Sequence, residues 1–178
     1  PWHQAMAELG YVVIQPNYRG SGGYGKDFVK EGRKPNGYGL RMQDDLNDAV
    51  TWFAQTGLVD KNRACIMGWS YGGYATARGA QRDPDVWKCA IAGAGVYDFP
   101  MMKAFDTRTF GSFGANLQAT SDDLIGISSA RNTDGKWSPI LIVAGLRDAR
   151  IPIEQSRTLV SRLKGSGKKE GVDFRYVE

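Results

Sequence analysis

The run Gly-Trp-Ser-Tyr-Gly-Gly at residues 68–73 constrains the fold of this chain more than any other feature. It follows the apolar stretch 65–67 and precedes the small-residue segment 74–80, which predicts a strand that ends in a sharp turn and opens a helix. The flanking glycines tolerate the close backbone contacts of such a turn. A serine at this point stands exposed at the carboxyl edge of a sheet, so Ser70 is the candidate nucleophile.

The rest of the chain alternates apolar strand patterns with helical ones. Strands are predicted at 11–15, 63–69, 89–96, 140–144 and 172–177, and helices at 2–9, 42–53, 71–81 and after Pro152. The strands are apolar throughout, which is typical of a mainly parallel sheet covered by helices on both faces. We therefore predict the α/β class. Residues 97–138 show no clear period and are interpreted as a lid-like or connecting segment with short helices.

A serine nucleophile needs an acid and a base beside it. Asp148 follows the predicted strand 140–144, where the acid of a Ser…Asp…His chain order belongs, and we predict that it orients the base. The only histidine is His3. It lies off the apolar face of the first predicted helix and should not reach Ser70, so it is interpreted as a surface histidine.

An acyl-transfer reaction also needs hydrogen-bond donors for the developing oxyanion. The backbone N–H of the residue after the nucleophile is the usual first donor, and that residue is Tyr71. The phenol of Tyr24, on a Gly-rich loop at 17–25, is a candidate for the second. Asp44 and Asp45 are interpreted as acidic residues at a helix amino terminus rather than as metal ligands.

Composition limits the other function classes. The 178 residues suit one domain, and no apolar run approaches the length of a membrane helix. The net charge of +4 is spread along the chain, which argues against a nucleic-acid-binding surface.

Cys65 and Cys89 are interpreted as small buried hydrophobes, and a disulfide framework is not expected. With one histidine, no zinc site can be built from His and Cys, and no cofactor is predicted.

Four runs, in this order and spacing, resemble the α/β-hydrolase domain of the prolyl oligopeptidase family of serine peptidases, especially its acylaminoacyl-peptidase-like and dipeptidyl-peptidase-like members. They are residues 10–25 (GYVVIQPNYRGSGGYG), 42–45 (MQDD), 68–74 (GWSYGGY) and 148–156 (DARIPIEQS). The resemblance implies Ser70 as nucleophile, Asp148 as triad acid, and an oxyanion hole formed by Tyr24 and the Tyr71 amide. It also implies a peptidase that cleaves short peptides or acyl-peptides through an acyl-enzyme.

The same resemblance implies that residues 1–178 are a partial catalytic domain. The family places its catalytic histidine in a G-H-G-containing loop after the last strand, and an H-G-G-P strand end before the position of Pro1. Neither motif occurs in this chain. We therefore expect the histidine to lie after Glu178, and a gap in the sheet between the strands at 11–15 and 63–69. Full-length relatives carry a β-propeller that restricts access, and none is present here.

Two alternatives stay open. The same site can serve a carboxylesterase or lipase, because one fold hosts several chemistries. The chain can also be a catalytically inactive module, since loss of a triad base costs on the order of 10⁶ in rate. A soluble protein is expected, and the cytoplasm is slightly favoured as its compartment.

Overall fold

A computed structural model describes residues 2–115 and 121–178 and builds them around one parallel sheet. Its four strands lie side by side in chain order, each parallel to the next. They are β1 (Cys65–Trp69), β2 (Cys89–Gly93), β3 (Ile140–Val143) and β4 (Phe174–Val177). This architecture confirms the predicted α/β class and four of the five predicted strands.

Helices precede or connect the strands, as the alternating pattern predicts. They are α1 (Trp2–Glu8), α2 (Lys26–Arg33), α3 (Met42–Gln55), α4 (Tyr71–Arg82), α5 (Phe99–Ala115) and α6 (Glu154–Gly165). Gly10 and Gly57 follow α1 and α3 with φ of 89° and 77°, a conformation that glycine adopts without strain. The sequence pattern does not predict α2. It predicts only short helices within 97–138, where the structure has the long α5, broken at Gly111.

The core lies between the sheet and the helices α3, α4 and α6. Its buried members include Ile142 on β3, Ala77 on α4 and Leu159 on α6. A β-carbon at Gly79 would lie 3.2 Å from the side chains of Ile66 and Trp87, so α4 approaches the sheet closely because its sequence is rich in Gly and Ala. This close contact fixes the second half of α4 relative to β1.

The strand predicted at 11–15 is wrong for this structure. These residues have no strand geometry, and the side chains of Tyr11 and Val12 are each 60% exposed. A strand is stable only when its backbone pairs with a neighbour. β1 forms the edge of the sheet among the described residues, and its Trp69 is 53% exposed, so the apolar segment 11–15 is not paired with it.

The two cysteines are joined in a disulfide, which corrects the prediction that they are separate small hydrophobes. Cys65 and Cys89 are register partners at the first positions of β1 and β2, with their Cα atoms 4.7 Å apart. That separation is within the range that a disulfide spans. The bond therefore ties the strand that leads to Ser70 to its neighbour.

The helices offer no membrane anchor in the described part of the chain. Over residues 2–115 and 121–178, none combines the length and the apolar character needed to cross a bilayer.

Candidate active site

Ser70 occupies the strained turn that the sequence motif predicts. It is the residue between β1 and α4, with φ of 56° and ψ of −118°. Positive φ is uncommon for a residue with a side chain, and such conformations persist only where the surroundings enforce them. The strain indicates that the fold holds Ser70 in a conformation the chain would not adopt alone.

Glycines on both sides of Ser70 make this turn possible. A β-carbon at Gly68 would lie 2.5 Å from the backbone of Gly72, and one at Gly73 would lie 2.2 Å from the carbonyl oxygen of Gly93. Any side chain at Gly68 or Gly73 would collide with backbone, which cannot move aside as a side-chain end can. The backbone of α4 therefore rests directly on β1 and β2.

Hydrogen bonds extend the sheet one residue beyond its strands and align the turns that follow them. Ser70 N–H donates to the Gly93 carbonyl at 2.9 Å, Ala94 N–H to Val143 at 2.8 Å and Ala144 N–H to Val177 at 3.0 Å. The turns after β1, β2 and β3 consequently start at one common edge. With strands about 4.8 Å apart, the ends of β1 and β3 are separated by roughly 10 Å.

Asp148 lies in the loop that follows β3, at this same edge, and is partly buried. Its Oδ1 accepts hydrogen bonds from the backbone N–H groups of Arg150 at 2.8 Å and Ile151 at 2.9 Å. Both bonds use Oδ1, which leaves Oδ2 as the oxygen that can face a neighbouring base. The structure thus brings Ser70 and Asp148 to one edge, with the end of β2 between them.

Tyr71 begins α4, and its side chain lies in an aromatic cluster. Its ring contacts those of Tyr18, Tyr38 and Tyr74, with centroids 5.2–5.7 Å apart. The phenol donates to Met42 Sδ at 3.2 Å, and burial, with smaller contributions from the neighbouring tyrosines, raises its pKa far above the usual value. The phenol therefore stays neutral. The first four N–H groups of a helix lack intrahelical partners, so the Tyr71 amide can serve as a donor beside Ser70.

Tyr24 lies on the Gly-rich loop, which the structure attaches at two points. Tyr18 packs on Tyr71, and Arg19 forms hydrogen bonds and an ion pair with Asp45 on α3. Tyr24 itself is 59% exposed, and its phenol oxygen accepts a hydrogen bond from Asn17 Nδ2 at 2.8 Å. The loop thus reaches the elbow through Tyr18, while the Tyr24 phenol is engaged with Asn17.

The two acidic residues at the start of α3 bind arginines. Arg82 Nη2 contacts Asp44 Oδ1 at 2.7 Å, and Arg19 contacts Asp45. Burial opposes ionisation of Asp45, but the hydrogen bonds and charge of Arg19 outweigh it, so the pKa of Asp45 lies below its usual value. These carboxylates therefore fix the loop and α4 to α3. Within the described residues, no cluster of His, Cys, Asp and Glu could hold a metal ion.

Sequence reasoning missed the turn after β2. Ala94 there has φ of 44°, a second strained residue at the same edge. A β-carbon at Gly93 would overlap the Trp69 ring at 2.2 Å, and one at Gly95 would lie 2.7 Å from the Gly73 backbone. The run Gly-Ala-Gly after an apolar stretch is the sequence signal from which this turn could have been predicted.

His3, on α1, is partly exposed, as expected of a surface histidine.

Comparison with known proteins matches almost the whole chain to one family. The profile of the prolyl oligopeptidase family matches residues 2–178. Dipeptidyl aminopeptidase BIII of Pseudoxanthomonas mexicana is 32% identical over 173 residues, which cover 92% of this chain and 25% of that protein. The acylamino-acid-releasing enzyme of Homo sapiens is 24% identical over 169 residues, covering 89% of this chain and 23% of that protein.

A solved structure agrees with this match. The orthorhombic crystal form of Pyrococcus horikoshii acylaminoacyl peptidase superposes with a TM-score of 0.81 at 27% identity, covering 98% of this chain and 28% of that one. The chain spans about a quarter of the length of these relatives. The similarity therefore concerns the sheet, the elbow and the loops described above.

Proposed function

This chain belongs to the prolyl oligopeptidase family of hydrolases, and on that premise we propose that it forms the nucleophile-bearing part of a serine peptidase catalytic domain. The observation that carries the proposal is the strained Ser70 at the edge it shares with Asp148. Strain at a serine between a strand and a helix has no structural benefit that glycine would not supply better. It is explained by a need to present the hydroxyl.

In the proposed mechanism, Ser70 Oγ attacks the carbonyl carbon of the scissile peptide bond while a base removes its proton. The tetrahedral intermediate places negative charge on the former carbonyl oxygen. The Tyr71 amide at the amino terminus of α4 donates to this oxygen, and the positive end of the helix dipole stabilises it further. Collapse of the intermediate expels the amine, which takes the proton from the base. Water then hydrolyses the acyl-enzyme.

The base is proposed to come from the segment that follows β4. β4 is parallel to β3, and Ala144 N–H donates to the carbonyl of Val177 at 3.0 Å. A segment leaving Val177 therefore starts beside the loop that carries Asp148, and the Ser…Asp…His chain order is satisfied there. Asp148 Oδ2 would hold the histidine in the correct tautomer and stabilise its protonated form.

The proposed substrates are short peptides, including acylated ones. One relative is named as a dipeptidyl aminopeptidase and another as an acylamino-acid-releasing enzyme. Both names describe removal of a short amino-terminal unit through cleavage of a peptide bond. The shared chemistry is acyl transfer from an amide, which the Ser70 edge supports.

Tyr24 is retained as the proposed second oxyanion donor. Its phenol oxygen accepts from Asn17, so its own proton stays available for a substrate oxygen. Tyr24→Phe removes that proton and keeps the ring on Phe28. We expect kcat to fall by about 10²-fold with little change in KM. An unaltered kcat would assign the second donor to another residue.

The decisive test is labelling with a fluorophosphonate, which reacts with an activated serine. Residues 1–178 and a form extended past Glu178 would be treated, and the labelled peptide identified by mass spectrometry, with Ser70→Ala as control. We expect labelling at Ser70 in the extended form only. Peptide amides and short esters would then be compared, because turnover of esters alone would favour an esterase. No labelling in either form would indicate an inactive module.

A further inference from the structure

A buried carboxylate on α5 lies directly behind the loop that carries Asp148. Asp106 is fully buried, and its two oxygens accept from the Arg150 guanidinium at 2.7 Å (Nη1 to Oδ1) and 3.2 Å (Nη2 to Oδ2). An ionised carboxylate away from water is unfavourable unless it is paired. The two-point contact with an arginine supplies both charge and a fixed direction.

Arg150 connects this buried group to the proposed triad acid. Its side chain binds Asp106, and its backbone N–H donates to Asp148 Oδ1 at 2.8 Å. The next residue, Ile151, is buried and donates to the same oxygen at 2.9 Å. Two adjacent amides therefore set the direction of the Asp148 carboxylate, and Arg150 holds one of them against α5.

The outer end of the loop lies at the protein surface. Residues 145–147 are exposed, with Leu146 62% exposed, and the loop begins with Gly145. Exposed loops of this kind open at low free-energy cost. The contact with Asp106 reaches across 44 residues of sequence to restrain it.

We propose that Asp106 is a positioning residue, which orients the Asp148 carboxylate through Arg150. This assignment rests on the proposed function, because it requires that Asp148 act as the triad acid. A displacement of about 1 Å at a catalytic group can cost about 10²-fold in rate. Asp106 is buried and binds the Arg150 guanidinium, so the effect proposed here passes through the direction of Asp148.

A second ion pair, at the residue that precedes α5, offers a control. Asp98 is also fully buried and also binds one arginine, with Arg131 Nε at 2.5 Å from Oδ2. Arg131 lies in the short 3₁₀ turn Ser129–Arg131, outside the Asp148 loop. Arg131→Gln removes a cation from a buried carboxylate that directly precedes the same helix, and should lower stability without altering the orientation of Asp148.

The experiment measures kcat, KM and the pH profile of peptide hydrolysis in the active, extended form of the protein. Asp106→Asn is expected to lower kcat roughly 30-fold with little change in KM. It should also move the acidic limb of the kcat/KM profile to lower pH, because a misdirected Asp148 stabilises the protonated base less. Arg131→Gln should lower the Tm and leave both readouts unchanged.

A double-mutant cycle identifies the route of the effect. If Asp106 acts through Asp148, Asp106→Asn should cost less than 3-fold in the Asp148→Asn background, far from multiplying the two single effects. Multiplicative effects, or a fall in kcat with an unmoved acidic limb, would overturn the assignment. If Asp106→Asn does not fold, Arg150→Lys keeps the charge, loses the two-point contact, and should give the same pH shift at smaller amplitude.

The cycle also separates this assignment from the proposed function. If Ser70→Ala and Asp148→Asn leave peptide hydrolysis unchanged, the proposed function fails. If those two variants abolish or severely lower activity while Asp106→Asn matches Arg131→Gln, the function stands and Asp106 is merely structural.

Discussion

The elbow at Ser70 and the loops that flank it are held in place by different forces. The elbow is fixed by backbone contacts, because glycines at 68 and 73 allow α4 to touch the sheet directly. The flanking loops are fixed by charged side chains, with Arg19 on Asp45 and Arg150 on Asp106. Backbone contact is insensitive to salt and pH, whereas ion pairs respond to both.

This difference suits the two tasks. A nucleophile must be presented at one fixed point, and steric contact between backbones leaves it no alternative position. The loops position the other proposed groups around it, and their ion pairs hold them only while the carboxylates are ionised. If the distinction is correct, substitutions at the elbow should affect stability most, and those at the charged anchors should have effects that depend on pH.

The largest effect is expected at Gly73. Gly73→Ala places a methyl group 2.2 Å from the Gly93 carbonyl oxygen, and neither backbone can move without separating α4 from β2. We expect a loss of about 4 kcal/mol in the free energy of unfolding, measured by urea denaturation. Gly72→Ala is the control, since a β-carbon there meets nothing within 4 Å. Equal stability of the two variants would show that the elbow is not held by backbone contact.

The disulfide on the elbow's strand is expected to have the next largest effect. Cys65 and Cys89 are separated by 24 residues, a loop whose closure stabilises a fold by about 3 kcal/mol in the chain-entropy model. Treatment with dithiothreitol should lower the urea midpoint of the protein accordingly. The double variant Cys65→Ser/Cys89→Ser should match the reduced protein and not respond to the reductant. A midpoint that ignores the reductant would contradict the cross-link.

The anchor at Asp45 should contribute stability that depends on pH. Its pKa is lowered in the folded state, so its contribution is fully present above the ordinary aspartate pKa of about 3.9 and is lost as the pH falls through the folded-state value. Asp45→Asn should cost about 2 kcal/mol at pH 7 and progressively less below pH 4, by urea denaturation.

The neighbouring Asp44 is the control for that experiment. Its side chain is 51% exposed and binds Arg82, so Asp44→Asn should change stability by less than about 1 kcal/mol. A cost for Asp45→Asn that stays constant down to acidic pH would show that the anchor does not depend on charge.

The contrast between the elbow and its flanking loops also explains which features could be predicted from the sequence. The elbow and its strand and helix are readable because their signals are adjacent in the chain, within residues 65–82. The pairing of Cys65 with Cys89 depends on the register of two strands joined by a crossover, which no local pattern encodes. Asp106 lies in a segment without clear period, and its partner Arg150 is 44 residues away.

The segment 11–15 shows that a strand-like sequence need not form a strand. Its composition is typical of a strand, but a strand forms only where its backbone pairs with a neighbour, and among the described residues β1 pairs with β2 alone. Likewise α1 has the predicted apolar stripe, yet none of its residues is buried. Local pattern predicts which conformation a segment prefers, while pairing and burial depend on the rest of the fold.

The smallest effect on stability is expected at Ser70 itself, where two variants separate backbone strain from loss of the hydroxyl. Its φ of 56° is unfavourable for a residue with a β-carbon, so Ser70→Gly should raise the free energy of unfolding by about 1 kcal/mol, measured by urea denaturation. Ser70→Ala keeps the β-carbon and therefore the strain, and should leave stability within about 0.5 kcal/mol. Both variants remove the hydroxyl, so only backbone strain distinguishes them.

A gain for glycine but not for alanine would mean that the fold sacrifices stability to present a side chain at this position. Ala94, with φ of 44° at the same edge and no hydroxyl to present, tests whether that sacrifice is specific. If Ala94→Gly gains as much as Ser70→Gly, strain is a general consequence of packing α4 against β2. If only Ser70→Gly gains, the strain belongs to the position of the proposed nucleophile, and the elbow is shaped by the reaction rather than by the fold.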